Sequence, residues 1–169
     1  MLLITREQRR RMLARGRWNA PPRSSSAAEP TPASLEALVN HIVTHYGTTI
    51  VDHVVNTHPD SDHSSGLTVV LERLTVKNLW MHRPWLYAGS IRDRFRSGRI
   101  TDASLEERIR EALNAAHDLE QASLVRHVLI QEPYQGSVIG PFVALSPERA
   151  WYLTELGSAL IKLLERRIG

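Results

Sequence analysis

The chain has 169 residues and a mass of 19.1 kDa, with 42% hydrophobic and 23% charged residues. These values suit one domain, or one small domain with a tail, and exclude wholesale disorder, a collagen-like rod and a coiled coil. No apolar run reaches the 18 or so residues of a membrane-spanning helix. The absence of cysteine excludes a disulfide framework and any thiolate metal site, so a metal would have to be held by carboxylates and by the eight histidines.

The net charge of +3 is unevenly spread. Residues 1–23 carry seven arginines (Arg6, Arg9, Arg10, Arg11, Arg15, Arg17, Arg23) against Glu7, a local balance of +6, so the other 146 residues sum to −3. The sequence pI of about 9.7 therefore describes the front segment and not the body. A basic arm of this kind can bind nucleic acid or an anionic membrane surface, serve as a transit peptide, or simply be a solvated helix.

In chain order, residues 5–15 read as a short Arg-rich helix and 20–33, with four prolines and three serines, as a linker. Ser34 reads as the N-cap of a helix whose Leu35, Leu38, Val39, Ile42 and Val43 fall at helical spacing and which Gly47 stops. His41 and His45 lie four apart on one face of it. Without a Glu beside the first, the metalloprotease pattern is missing, and they read as a polar helix face. The β-branched run 48–56 reads as a strand buried on both faces, 66–74 as a helix and 77–82 as a second strand. Strand, helix, strand in that order predicts a layered α/β fold. A long charged helix over 103–126, a short strand at 142–145 and a last helix opening at Ser146-Pro147-Glu148 complete the expected elements. Trp80, Trp85 and Tyr87 read as core and rim packing, and Trp151 and Tyr152 as packing for the last helix.

The chemistry concentrates in THPDSDHSSGL (residues 57–67), which places two His and two Asp within six residues between a buried strand and a helix. Loops at the carboxyl ends of strands are where α/β folds set their ligand sites. Imidazole nitrogen and carboxylate oxygen are ordinary ligands for zinc and also suit manganese or iron. Asp and Ser are common turn and cap residues too, but a plain turn does not require histidines at both ends with carboxylates between them.

The string resembles the signature loop of the metallo-β-lactamase-fold superfamily, His-x-His-x-Asp-His at a strand end followed by a Gly-bearing helix. Its form, with Asp60 at the usual second His, is similar to that of hydrolase domains related to DNA-uptake competence proteins. Residues 78–88 and 136–152 resemble later segments of the same group, so the likeness runs from about 34 to 155. It implies a four-layer αββα sandwich, here partial, in domain 34–169 behind the basic arm and linker of 1–33. It implies one or two Zn²⁺ (or Mn²⁺), with His58 and Asp60 on the first metal and Asp62 and His63 on the second. Asp62 would also relay the proton of the attacking water, and Thr57 and Ser61 would orient ligands.

The pattern also departs from the family. The later His, bridging Asp and final His of the superfamily find no match beyond Glu155, and His82, at the end of the second strand, is the one further candidate ligand. His117, Asp118 and His127 fall on or after the long helix and are not assigned. The front differs as well, and the chain reads as an internal piece of such a domain. The expected function is a metal-dependent hydrolase acting on an ester, by family analogy a phosphodiester or a related small molecule. The rival is a non-catalytic remnant that binds a partner or nucleic acid through the basic arm. A homodimer would supply missing ligands and cover open sheet edges. No membrane partner is expected, and a cytoplasmic location is the default.

Overall fold

In this computed structural model the chain is described over residues 2–3, 32–95 and 100–165, excepting the side chains of 2–3, 32–35, 62 and 165. The expected Arg-rich helix and most of the linker lie outside the described residues. The fold is a mixed α/β arrangement around a small sheet. Its strands are β1 (Leu2–Leu3), β2 (Ile50–Val55), β3 (Thr75–Trp80) and β4 (Leu129–Gln131), ordered β1-β2-β3-β4. β1 runs antiparallel to β2, whereas β2, β3 and β4 are parallel. A separate hairpin joins β5 (Val138–Ile139) to β6 (Phe142–Val143). The helices are α1 (Pro32–His41, continued by a π-helical turn Ile42–Tyr46), α2 (Ser61–Arg73), α3 (Ala88–Ile91), α4 (Asp102–Ala112), α5 (Asn114–Val125) and α6 (Arg149–Glu165).

Both strands expected at 48–56 and 77–82 form, with ends shifted by about two residues, and the β2-α2-β3 unit is present as expected. Other elements differ. α1 begins at Pro32, two residues before Ser34, since proline is well tolerated in a first helical turn. α2 begins at Ser61, five residues earlier than the apolar spacing indicated. The polar run Asp62–Ser65 is thus the first turn of the helix, nucleated by the Asp60 carbonyl, which accepts from the amides of His63 (3.1 Å) and Ser64 (2.9 Å).

The expected single helix over 103–126 is two helices. Leu113 leaves the helical region (φ −117°, ψ 40°) while staying buried, and Asn114, a weak former in a helix interior, begins the second. The first has a reciprocal cap, with Ser104 N–H donating to Thr101 Oγ1 (3.1 Å) and Thr101 N–H to Ser104 Oγ (3.0 Å). Such a cap contributes about 1 kcal/mol. β4 has no sequence signal beyond Leu-Ile in a three-residue strand. The last helix starts at Arg149, so Ser146 and Pro147 precede it.

The main core joins the sheet to the helices. Val54, Val70, Leu79, Met81, Leu105, Ile109, Ala116 and Leu119 are completely inaccessible. α2 supplies Leu67, Val70, Leu71 and, at its end, Leu74, at the spacing that keeps one stripe inward, and it packs along α5. Trp80 and Trp85 are buried as expected, and Tyr152 packs on the core, but Trp151 is 59% exposed and does not anchor the last helix. It occupies the outward side of the turn whose inward side Tyr152 takes. On the other side of the sheet end, Ile139 of the hairpin closes over Val55 and Trp80.

Candidate functional site

Parallel pairing sets Val55, Trp80 and Gln131 in one row, so the segments that follow β2, β3 and β4 leave the sheet at one level. The ladder continues one step further, as Asn56 N–H donates to the Trp80 carbonyl (2.8 Å) and Met81 N–H to that of Gln131 (2.9 Å). The candidate loop 56–60 is therefore anchored at its first residue. Asn56 is only 3% exposed, and its Nδ2 donates to the fully buried Ser64 Oγ at 2.9 Å, across the span from the strand end to the first turn of α2. This bond folds the intervening residues into a tight, outward loop. Asn56 Oδ1 is buried without a partner.

The same closure brings the first and last histidines of the signature together. The rings of His58 and His63 have centroids 3.7 Å apart, inclined at 42°, and both residues are exposed. Thr57 Oγ1 lies 3.0 Å from His58 Nδ1, a contact that restrains the ring through that nitrogen. Asp60 stands at the N-cap of α2 in extended backbone (φ −67°, ψ 150°), yet its carboxylate makes no capping hydrogen bond. A capping Asp normally holds the amide of the second or third helical residue. Here the carboxylate stays out of the helix end, on an exposed residue between the two histidines in sequence. Ser61, expected to orient a ligand through its side chain, enters through its carbonyl, which accepts from Ser65 Oγ at 2.6 Å.

Asp62 lies in the first turn of α2 and its side chain is outside the described residues. His82 is set among tyrosines. Its ring stacks on Tyr152 with centroids 4.4 Å apart and lies 5.0 Å from the Tyr134 ring. Burial lowers its pKa, opposed by Glu132. Among the described residues no group of three or more His, Asp or Glu side chains is disposed to hold a metal ion. The structure thus pairs His58 with His63, sets Asp60 in the same loop, and gives His82 other neighbours. His41 and His45, read as a polar helix face, are exposed and stacked at 4.0 Å.

Asn56 and Ser64 are the residues that sequence reading missed. Their signal was position alone, a polar residue at the last step of a buried strand and another one helical turn into the following helix. His53 was also unassigned. Its Nδ1 accepts from Trp80 Nε1 at 3.2 Å, a cross-strand bond that satisfies the buried indole.

No helix among the described residues is long and apolar enough to cross a membrane. Comparison with protein families, with curated proteins and with solved structures returned no match to the chain.

Proposed function

We propose that the chain is a metal-dependent hydrolase domain of the metallo-β-lactamase type, with a partial αββα architecture and its metal-ligating element at residues 58–63. The observation that carries this reading is the 3.7 Å approach of the His58 and His63 rings, with Asp60 between them in sequence. Two imidazoles and a carboxylate are a donor set that suits Zn²⁺ or Mn²⁺. The resemblance of the signature loop to that superfamily supports the same assignment.

In this reading His58, Asp60, Asp62 and His63 hold the metal, and His82 is left to a different task. The chemistry that one or two divalent ions supply in such a site is activation of a water and stabilisation of charge on the attacked oxygen. The chain's own residues do the rest. Thr57 fixes the His58 ring at Nδ1, and the Asn56–Ser64 bond sets the distance between the strand end and the helix that bears His63. Asp62 accepts the proton released from the attacking water. The substrate class proposed is an ester, a phosphodiester first, in a cytoplasmic setting, with a second copy of the chain as the source of further ligands.

The test is hydrolysis of bis(p-nitrophenyl) phosphate by metal-free protein with Zn²⁺ or Mn²⁺ added back. Metal-dependent turnover that falls at least about 100-fold in Asp62→Asn and in His63→Ala supports the reading, a loss of the size that removal of one catalytic proton acceptor causes. Turnover equal in wild type and both variants refutes it. The rival reading, a binding module acting through the basic arm, is favoured by the +6 charge balance of residues 1–23. It predicts salt-sensitive nucleic-acid binding, weakened by charge reversal at Arg9, Arg10 and Arg11, with no metal requirement.

A further inference from the structure

The carboxyl edge of the sheet carries a second polar cluster, built by residues the hydrolase reading does not use. His82 follows β3 and Glu132 and Tyr134 follow β4, while Tyr152 comes from the first turn of α6 and stacks on the His82 ring. Glu132 accepts from Arg83 N–H through one oxygen (3.0 Å) and from the Tyr87 hydroxyl through the other. The Tyr87 and Tyr134 hydroxyls are 2.7 Å apart, and the Arg149 guanidinium lies 5.8 Å over the Tyr87 ring. Three segments distant in sequence are thus joined around one imidazole, whose Nδ1 is buried without a hydrogen-bond partner.

We propose that His82 is a pH-responsive pin: as a neutral ring it fastens the segments after β3 and β4 to the start of α6, and its protonation loosens that junction. The physical reason is donor satisfaction. An imidazolium carries N–H groups at both nitrogens, and the one at Nδ1 would point into a buried place with no acceptor.

The groups around the ring do not compensate. Glu132 is the carboxylate that acts on His82, and it already holds Arg83 N–H and the Tyr87 hydroxyl. Turning it toward His82 would break those bonds. The phenols of Tyr87, Tyr134 and Tyr152 are neutral, with pKa values raised chiefly by burial. The guanidinium groups nearby, Arg149 over the Tyr87 ring and Arg83 facing Glu120 of α5 at 3.4 Å, are donors and offer no acceptor to an imidazolium.

The sign follows from burial, which lowers the His82 pKa in the folded chain against the attraction of Glu132. The contribution of the neutral ring is complete above the unfolded value of about 6.5. It is lost as pH falls from there through the lower folded value. The proposal is independent of the hydrolase reading.

The test is a titration of the His82 ring protons by NMR on the full chain from pH 8 to pH 5. Hydrogen-exchange protection at residues 134–137 and 150–153 is followed over the same range, with intrinsic exchange rates divided out. The expected result is a His82 midpoint below about 6.5. Local protection should fall as pH drops from about 6.5 to the His82 midpoint and level off below it, by no more than about tenfold per pH unit, the limit for one proton. In His82→Phe, which keeps a stacking ring without a titrating nitrogen, protection should not vary with pH. A His82 midpoint at or above that of a free imidazole overturns the proposal. So does a His82→Phe profile that tracks the wild type. Should His82→Phe not fold, the wild-type data decide: protection unchanged across the imidazole titration overturns it.

Discussion

Removal of one buried hydroxyl tests how the candidate loop is built. Ser64 is fully buried in the first turn of α2, and its Oγ accepts the Nδ2 proton of Asn56, itself 3% exposed, at 2.9 Å. Ser64→Ala deletes the acceptor and strands that Nδ2–H in a site closed to water. The loss of a typical hydrogen bond is worth about 1 kcal/mol, whereas a buried donor left unsatisfied costs about 1–3 kcal/mol. The second figure governs, because the Asn56 side chain is closed off from solvent and Nδ2 has no water to turn to in place of Ser64. Alanine is the better helix former, a gain of about 0.5 kcal/mol that reduces the net cost to roughly 0.5–2.5 kcal/mol. For a chain of this size that corresponds to a fall of about 1–10 °C in Tm. Urea unfolding of wild type, Ser64→Ala, Asn56→Ala and the double variant supplies the assay, and the coupling between the two sites should be at least about 0.5 kcal/mol. A Ser64→Ala variant within about 0.3 kcal/mol of wild type, or strictly additive variants, refutes the reasoning that this pair closes the loop.

Elsewhere, Leu79→Ala in the middle of the sheet, where the side chain is fully buried, should cost about 2–5 kcal/mol by urea unfolding. Gly140, between β5 and β6, has φ +58°, and a Cβ there would stand 3.2 Å from His53 Cδ2. Gly140→Ala should therefore destabilise by at least about 1 kcal/mol, while unchanged Tm would contradict that close approach. The raised pKa values of Tyr87, Tyr134 and Tyr152 mean that the folded chain keeps these phenols protonated when the unfolded chain ionises. Their contribution to stability is complete below about pH 10 and is lost as pH rises beyond it. Absorbance at 295 nm should show delayed ionisation released on unfolding, and all tyrosines titrating together near pH 10 with native circular dichroism would contradict it. Trp151→Ser, at an exposed position, should leave stability within about 0.5 kcal/mol.

The parts legible in the sequence are those fixed by local periodicity. The β-branched run at 48–56 read as the strand that forms over 50–55, the segment 66–74 read as the helix that makes up the later part of α2, and the Pro-Glu pair at 147–148 marked the approach to α6. The start of α2 was misplaced because the polar residues 61–65 carry no apolar stripe, while the Asp60 carbonyl and the Asn56–Ser64 bond organise them through tertiary contact. The break at Leu113 was invisible for the opposite reason, since Leu105, Ile109, Leu113 and Ala116 keep helical spacing through it. Of the site, the types and order of His58, Asp60 and His63 were plain, as was the chemistry they suit. Their closeness was not, because it depends on how a loop of five residues closes between two anchors. His82 was placed at the end of a strand over 77–82, and it stands two residues beyond the last residue of β3. The rings packed on it, Tyr134 after β4 and Tyr152 in α6, lie 52 and 70 residues away in sequence, beyond the reach of any local pattern.

The central claim is that residues 58–63 bind a metal, and the most direct measurement is the metal content of the purified full-length chain. Elemental analysis of wild type would be set beside an Asp62→Ala, His63→Ala double variant, with circular dichroism to confirm that both are folded. The account predicts one to two zinc or manganese ions per chain in wild type, as the resemblance implies, and loss of that metal in the folded variant. No bound metal in wild type after equilibration with Zn²⁺ or Mn²⁺, or equal metal in the variant, would contradict it.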